Sequence, residues 1–194
     1  QDAAAVIGQY GFMAQLGHPS KSVRDARETV VREDLFRILE ASRPEVVYLH
    51  NLADKHDTHV GCALRCLEAI RRLPKADRPQ KVYGCEVWRD LDWLVDSEKT
   101  PMPVSERPEL AKALNEVFAT QIAGGKRYDL AVIGRRTANA TFSQAHATDQ
   151  ESAMQWAMDL TPLVQDESLD PIAYTTGFID RLKTDVTNRL RQSL

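Results

Sequence analysis

Short apolar runs alternate along the chain with longer segments in which apolar residues recur at helical spacing. The clearest run is Glu45-Val46-Val47-Tyr48-Leu49, a β-branched stretch of the kind that is buried on both faces of a parallel sheet. It lies between a helix predicted over residues 23–40 and a helix whose first turn is predicted at residues 58–61. This alternation is typical of an α/β fold with a largely parallel sheet.

The same reasoning predicts the remaining elements. Helices are expected over residues 2–9, 110–122 and 171–190, and further strands over residues 11–16, 81–87 and 128–134. Gly124 and Gly125 follow the middle helix and are expected to end it. No internal repeat or low-complexity segment interrupts the pattern, so residues 1–194 are predicted to form a single α/β domain.

Composition and charge narrow the class of partner. Of the 194 residues 43% are hydrophobic, which is ordinary for one globular domain, and the formal net charge is −3. The chain therefore has no basic field for nucleic acid and no polybasic stretch for a membrane surface. No apolar run approaches the roughly 20 residues that span a bilayer, and the first residues lack a signal-peptide pattern. We expect a cytoplasmic protein that acts on a small molecule, with neither nucleic acid nor membrane as a partner.

One loop, residues 50–59, carries an unusual density of chemically capable side chains directly after the strand at 45–49. In open α/β sheets ligands bind beyond the carboxyl ends of the strands. His56 and His59 are three residues apart across a helix start, a spacing at which two imidazoles can face one cavity and bind zinc. Asp54 and Asp57 add carboxylates that could ligate a metal, orient an imidazole or act as a base. The alternative is a solvated loop with a helix cap.

Other candidates also follow predicted strands. Trp88 and Arg89 offer an aromatic face and a guanidinium that suit a sugar ring or a phosphate, although core packing explains the tryptophan equally well. Arg135 and Arg136 either face the same crevice or form surface ion pairs. His50 ends its strand inside the loop and either supports the site or is a hydrogen-bonded structural histidine.

Three segments in the same order resemble the PIG-L (LmbE-like) N-deacetylase family. These are zinc-dependent enzymes that remove acetyl groups from N-acetylglucosamine-type substrates. The matching segments are Pro44-Glu45-Val46-Val47-Tyr48 with Lys55-His56-Asp57-Thr58-His59-Val60, then residues 83–94, then residues 124–129. The last two resemble one bacterial branch. The resemblance covers most of the chain from Val23 onward and implies a Rossmann-like three-layer sandwich with a mainly parallel sheet.

The resemblance also implies roles for the loop residues. His59 is expected to be a ligand of zinc or another divalent metal, and His56 to stabilise the charged tetrahedral intermediate or to protonate the leaving amine. The family often has His-Pro-Asp-His where this chain has His-Asp-Thr-His, so Thr58 replaces a common aspartate. The orientation of His56 then falls to Asp54 or Asp57.

These considerations give the predicted site. His56 and Asp57 are the expected catalytic residues, and His59 is the expected metal ligand. Contacts to the substrate are expected from Asp54, Trp88 and Arg89.

One part of the family pattern has no counterpart in the sequence. The family begins with a strand and a His-x-Asp-Asp motif that supplies two metal ligands and a water-activating aspartate, whereas His18-Pro19-Ser20 lacks the carboxylates and is expected to be a turn. A hydrolytic zinc site needs about three protein ligands. We therefore expect the chain to be the C-terminal portion of a longer enzyme, without the first strand or strands, and to need a homo-oligomer or a complementing N-terminal fragment.

The sequence thus predicts a metal-dependent hydrolase that removes the acetyl group from an N-acetylated amino sugar. The alternative is a non-catalytic binding or structural α/β domain, or an inactive fragment with an incomplete metal site. A nucleotide-binding domain is disfavoured because no glycine-rich phosphate loop is present.

Overall fold

A computed structural model describes all residues from 1 to 194 and contains nine α-helices and four β-strands. In chain order these are α1 (Asp2–Gly8), α2 (Ser20–Arg24), α3 (Val30–Ser42), β1 (Val46–His50), α4 (Asp57–Arg72), β2 (Lys81–Cys85), β3 (Lys99–Pro103), α5 (Pro108–Glu116), α6 (Ala119–Ala123), α7 (Tyr128–Phe142), β4 (Met154–Asp159), α8 (Thr161–Gln165) and α9 (Pro171–Ser193). The chain divides into two compact units. The first comprises residues 1–16 and 101–155, and the second residues 17–100 and 156–194.

The first unit is built on helices. Helix α1 contacts α5, and α7 contacts both α5 and α6. Two hydrogen bonds join residues 104 and 105 to residue 153. Val104 N donates to Ala153 O at 3.0 Å, and the Ser105 hydroxyl accepts from Ala153 N at 3.1 Å. The guanidinium of Arg136 in α7 donates to the side-chain oxygen of Gln155 at 2.9 Å.

The second unit holds the main hydrophobic core, which lies around helix α4. Helices α2 and α3 contact α4, as do β1 and α8. The innermost core side chains, all nearly inaccessible to solvent, are Leu67, Ile70, Val82, Leu91, Leu94, Met158, Leu160, Leu163 and Val164. Helix α4 supplies a face of small and aliphatic residues, and its last turn carries Arg71 and Arg72, whose positive charge suits the C-terminal end of the helix dipole.

The sheet has four strands in the order β1-β2-β4-β3. Strands β1 and β2 pair in parallel, with His50 opposite Cys85 at their carboxyl ends. Strand β2 pairs with β4 in the antiparallel direction, with Tyr83 opposite Asp159. The predicted α/β class is therefore correct. The mainly parallel Rossmann-like arrangement is not confirmed, because the β2–β4 pairing runs antiparallel.

Several predicted elements are confirmed, namely the helices at 2–9 and 171–190, the strands at 45–49 and 81–87, and the helix that follows the His/Asp loop. The strand predicted over residues 11–16 is wrong, because this segment has no regular structure. Phe12 within it is 73% exposed, so its apolar residues find no sheet to pack on. The helix predicted over residues 23–40 is interrupted between α2 and α3 by a turn in which Arg27 N donates to the Asp25 carboxylate at 3.0 Å.

The strand predicted over residues 128–134 is also wrong, because these residues open helix α7. A short apolar run does not distinguish a strand from a helix by periodicity alone. Residues 135–142 continue without a turn signal, so the helix extends over 15 residues. Leu130 and Ile133 remain 58% and 43% exposed, which a buried central strand would not allow.

Two strands were not predicted. Strand β3 contains Pro101 and Pro103, residues that weaken any strand signal, and β4 mixes polar and apolar residues without regular alternation. No helix combines the length and the apolar composition that a membrane span requires.

Candidate metal centre

The carboxyl end of β1 and the start of α4 enclose a group of three side chains that could hold a metal. His50 is the last residue of β1, Asp54 lies in the connecting loop, and His59 lies in the first turn of α4. One ligand atom from each of these residues lies within 4.8 Å of the others. All three come from ten consecutive residues of the second unit, because the strand, the loop and the helix turn back on one another there.

The imidazole of His59 stacks on two other histidine rings. Its centroid lies 4.0 Å from that of His50, with the planes 7° apart, and 4.5 Å from that of His56, with the planes 23° apart. The predicted partners His56 and His59 are therefore in contact, as the spacing of three residues suggested. The stack also includes His50, which the sequence alone left between a supporting and a structural role.

Asp54 is the most enclosed member of the group, since its side chain is fully buried. Its Oδ1 accepts a hydrogen bond from the His56 backbone N–H at 2.8 Å, and its Oδ2 accepts one from the Trp88 backbone N–H at 3.2 Å. The same Oδ1 lies 3.3 Å from His59 Nδ1. These hydrogen bonds hold the Asp54 carboxylate beside the imidazole of His59. They also show that Asp54, rather than Asp57, holds the main chain at His56.

Two buried nitrogen atoms in the group lack hydrogen-bond partners. They are Nδ1 of His50 and Nδ1 of His59, the latter being close to Asp54 Oδ1 but out of alignment for a hydrogen bond. Buried polar atoms are nearly always satisfied by protein, water or an ion, because leaving one unpaired is costly. Two imidazole nitrogens and a carboxylate oxygen form a donor set that suits a divalent metal such as zinc. The residues present therefore fit a metal ion.

The protonation state of His50 also suits a ligand. Burial lowers the pKa of His50, and the neighbouring His59 and His56 lower it further, whereas the Asp54 carboxylate raises it. A lowered pKa keeps the imidazole neutral near neutral pH, which is the form that binds metals.

The ring orientations show what a bound ion would change. An imidazole nitrogen directs its lone pair in the plane of the ring. Because the His50 and His59 rings are nearly parallel and 4.0 Å apart, their lone pairs do not meet at one point. One of the two rings must therefore rotate for both nitrogens to ligate a single ion.

The other predicted residues are distributed unevenly around this group. The Asp57 carboxylate is 84% exposed and lies 3.9 Å from Arg24, so the structure does not bring it to the histidines. It is also not an N-cap, since α4 begins after His56 without a side-chain cap bond.

The predicted arginines lie in different places. The Arg89 Nε donates to Ala53 O at 2.6 Å, which keeps this exposed side chain beside the loop. Arg135 and Arg136 lie on helix α7 and so do not follow a strand.

His18 lies outside this group. Its Nε2 is 2.8 Å from an Asp34 carboxylate oxygen.

No family model matches the chain, and no curated protein matches it. Solved structures do resemble it. A conserved protein from Thermus thermophilus superposes with a TM-score of 0.62 at 18% sequence identity, covering 86% of this chain and 74% of its own. GalB, the 4-carboxy-2-hydroxymuconate hydratase from Pseudomonas putida, superposes with a TM-score of 0.51 at 17% identity, covering 82% of this chain and 69% of its own. At these identities the likeness establishes a shared fold.

Proposed function

We propose that this chain carries the metal centre of a zinc-dependent hydrolase that removes the acetyl group from an N-acetylated amino sugar. The observation that carries the proposal is the convergence of His50, Asp54 and His59 within 4.8 Å, with two buried imidazole nitrogens that lack hydrogen-bond partners. The motif resemblance around His56 and His59 supplies the reaction class. Two expectations from the sequence stay predictions, namely the mainly parallel Rossmann-like layering and the cytoplasmic location.

His50, Asp54 and His59 would hold the metal. When bound, zinc lowers the pKa of a coordinated water to about 7 and polarises a carbonyl oxygen. The backbone N–H groups of His56 and Trp88 donate to the two carboxylate oxygens of Asp54 and so hold this ligand in place. Backbone donors of this kind keep a carboxylate in one rotamer.

His56 is the residue proposed to move a proton. It is exposed, and its ring lies against His59, beside the metal group. In hydrolysis of the amide, water oxygen bonds to the acetyl carbon and the carbon–nitrogen bond breaks. Protonated His56 donates to the leaving nitrogen, so that acetate and a free amine result. Of the two protons that the water gives up, one returns to His56 and the other passes to solvent.

Two residues of the neighbouring segment are proposed to meet the sugar. The Trp88 main chain is hydrogen-bonded to Asp54, and the Arg89 side chain is hydrogen-bonded to Ala53, so both residues lie next to the loop. Arg89 is exposed, and its guanidinium suits hydroxyl or phosphate oxygens of a substrate. Asp57 has no supporting contact, and its catalytic role stays a prediction.

The test is acetate release from N-acetylglucosamine conjugates by the zinc-loaded protein. We expect activity that falls by roughly 100-fold or more in His56→Gln, with zinc content unchanged, because general acid catalysis typically contributes at least that factor. His146→Gln is the matched control, because this exposed histidine is not a member of the metal-binding group, and it should stay near wild type. A zinc-loaded protein that is inert on a broad panel of N-acetylated sugars would contradict the proposal.

A second candidate is addition of water to an unsaturated acid, because a protein that shares this fold is named as a 4-carboxy-2-hydroxymuconate hydratase. The same panel should therefore include 4-carboxy-2-hydroxymuconate, whose hydration removes its conjugated absorbance. A non-catalytic domain is the third outcome. It predicts that the chain takes up no stoichiometric metal and turns over neither type of substrate.

A further inference from the structure

Asn51 is a fully buried polar residue that directly follows His50. Its Nδ2 donates to Cys85 O at 3.1 Å and to Arg89 O at 3.4 Å, while its Oδ1 accepts from Ala53 N at 3.0 Å. Both ends of the amide are thus engaged, which fixes the side chain in one orientation. One partner belongs to its own loop, and two belong to the segment that follows β2.

The backbone of Asn51 strengthens the same connection. Its N–H donates to Cys85 O at 3.2 Å, and its carbonyl oxygen accepts from Asp54 N at 3.3 Å. Cys85 lies opposite His50 at the end of the parallel β1–β2 pair. Asn51 therefore extends the strand pairing by one residue beyond His50 and then turns the chain toward Asp54.

Gly84 allows this close approach. A Cβ added at position 84 would lie 2.9 Å from Asn51 Cα and 3.1 Å from Leu160 Cδ1. The first distance is shorter than real Cβ contacts, and backbone has little room to give. Any larger residue at position 84 would push Asn51 away from β2, which is why a strand interior tolerates glycine here.

Two further bonds attach the loop to the same segment. Trp88 N donates to Asp54 Oδ2 at 3.2 Å, and Arg89 Nε donates to Ala53 O at 2.6 Å. Residues 51, 53 and 54 are thus all bound to residues 85–89. Asp54 Oδ1 is left facing His59 Nδ1, 3.3 Å away.

We propose that Asn51 is a positioning residue, which binds the 51–54 loop to residues 85–89 and so sets Asp54 against His50 and His59. The inference rests on the proposed function insofar as these three side chains hold a metal. Asn51 does not contact the atoms that would bind the ion, but it determines their positions. Partners of this kind behind a metal site typically control metal affinity by 10- to 100-fold, about the range expected here.

The experiment compares zinc affinity in Asn51→Ala and Gly84→Ala with wild type. Both variants should bind zinc roughly 10- to 100-fold more weakly, the first by removing the amide and the second by displacing it. Thr175→Val is the control for a lost buried polar group elsewhere, since the Thr175 hydroxyl donates only to Pro171 O within α9. It should leave zinc affinity unchanged. The visible spectrum of the cobalt-substituted protein should change in the Asn51 and Gly84 variants alone.

A measurement without metal separates this inference from the proposed function. In the wild-type chain the amide protons of Ala53 and Trp88 should exchange slowly with solvent, and the ring protons of His59 should show shifts from the stacked His50 and His56. In Asn51→Ala both signatures should be lost. Failure of wild type to bind zinc would sink the proposed function, while these signatures would still establish the positioning role. Rapid exchange in wild type, or unchanged signatures and zinc affinity in Asn51→Ala, would overturn the inference.

Discussion

At the scale of single residues, the environment of Asp54 is the most informative feature. Its carboxylate is fully buried, yet it has no lysine or arginine partner and is stabilised by two backbone N–H groups beside two imidazoles. A buried carboxylate that no lysine or arginine neutralises is unusual, because burying an uncompensated charge is expensive. A divalent ion between Asp54, His50 and His59 would supply the missing positive charge.

This environment gives the first prediction. Replacing Asp54 with asparagine removes the only charged ligand while keeping the shape of the side chain. We expect zinc affinity to fall by at least about 10-fold, and Asp57→Asn, with its exposed carboxylate, to leave it unchanged. Competition against a fluorescent zinc chelator measures both. Equal losses in the two variants, or no loss in Asp54→Asn, would count against the assigned ligands.

A second residue-scale prediction concerns Tyr174. Burial raises its pKa to about 12, the negative charges of Asp159 and Glu98 act in the same direction, and Arg181 opposes them. Its hydroxyl also donates to Asp159 O at 2.7 Å. The folded protein therefore keeps the phenol neutral where the unfolded chain, with a pKa near 10, ionises. This contribution to stability is complete below pH 10 and is lost as the pH rises toward 12.

Urea unfolding at several pH values checks the direction of this change in stability. Between about pH 9 and pH 11 the free energy of unfolding should fall more steeply in wild type than in Tyr174→Phe, which cannot ionise. The phenylalanine variant should start lower at pH 9, since it has lost the hydrogen bond to Asp159. Parallel pH dependences would mean that Tyr174 is not held neutral by the fold.

Individual residues also show what the sequence could reveal about the site. His59 and His56 were predicted to be neighbours from their spacing, and their rings are in contact. The position of His50 in the group depends on how the loop at 51–56 returns the chain to the start of α4, which no local pattern specifies. The importance of Asn51 depends on contacts with residues 34 to 38 positions away, and these exist only after β1 and β2 have paired.

At the scale of elements, predictions succeeded where local and tertiary preferences agree. Strand β1 is β-branched and α4 has one continuous apolar face, so both were recognised. Helix α9 begins as its sequence indicates, because the Asp170 carboxylate accepts from Ala173 N at 2.8 Å and Pro171 occupies the first turn. Helix α7 was mistaken for a strand, since its first seven residues are mostly apolar and only the following residues distinguish the two.

Glycine variants test the helical assignment of α7. A Cβ added at Gly134 meets nothing within 4 Å, so Gly134→Ala should raise the free energy of unfolding by about 0.5–1 kcal/mol, the helix-propensity difference. Gly61 in α4 is the matched contrast. Its added Cβ would lie 2.9 Å from Val23 O, so Gly61→Ala should destabilise by about 1–3 kcal/mol.

Chemical denaturation of the two variants provides the comparison. Stabilisation by the first and destabilisation by the second is the expected pair of results. A destabilising Gly134→Ala would contradict an exposed helical environment at residue 134.

At the scale of the whole molecule, strand β1 stands at one end of the sheet order and is partly uncovered. Tyr48 is 62% exposed and Val46 is 39% exposed on the same face of β1. An edge strand with exposed apolar side chains is a template for pairing with another chain. We therefore expect the chain to self-associate through this strand.

Light scattering measures this directly. The expected mass at micromolar concentration exceeds the 21.8 kDa of one chain, and Tyr48→Lys should shift the population toward that value. Tyr10→Lys is the control, because Tyr10 is similarly exposed at 49% but lies outside any strand. A wild-type protein that stays monomeric at all concentrations would refute the expectation.

We claim that His50, Asp54 and His59 together bind one divalent ion, and the decisive experiment is a measurement of zinc stoichiometry. Metal-stripped protein is incubated with zinc, dialysed, and analysed by mass spectrometry for metal per chain. We expect about one zinc per wild-type chain and at least a roughly 10-fold loss of affinity in each of His50→Ala and His59→Ala. His146→Ala should bind zinc as wild type does, because this exposed histidine is not a member of the group. A wild-type chain that retains no zinc, or a His50→Ala variant that binds it as tightly as wild type, would contradict the claim.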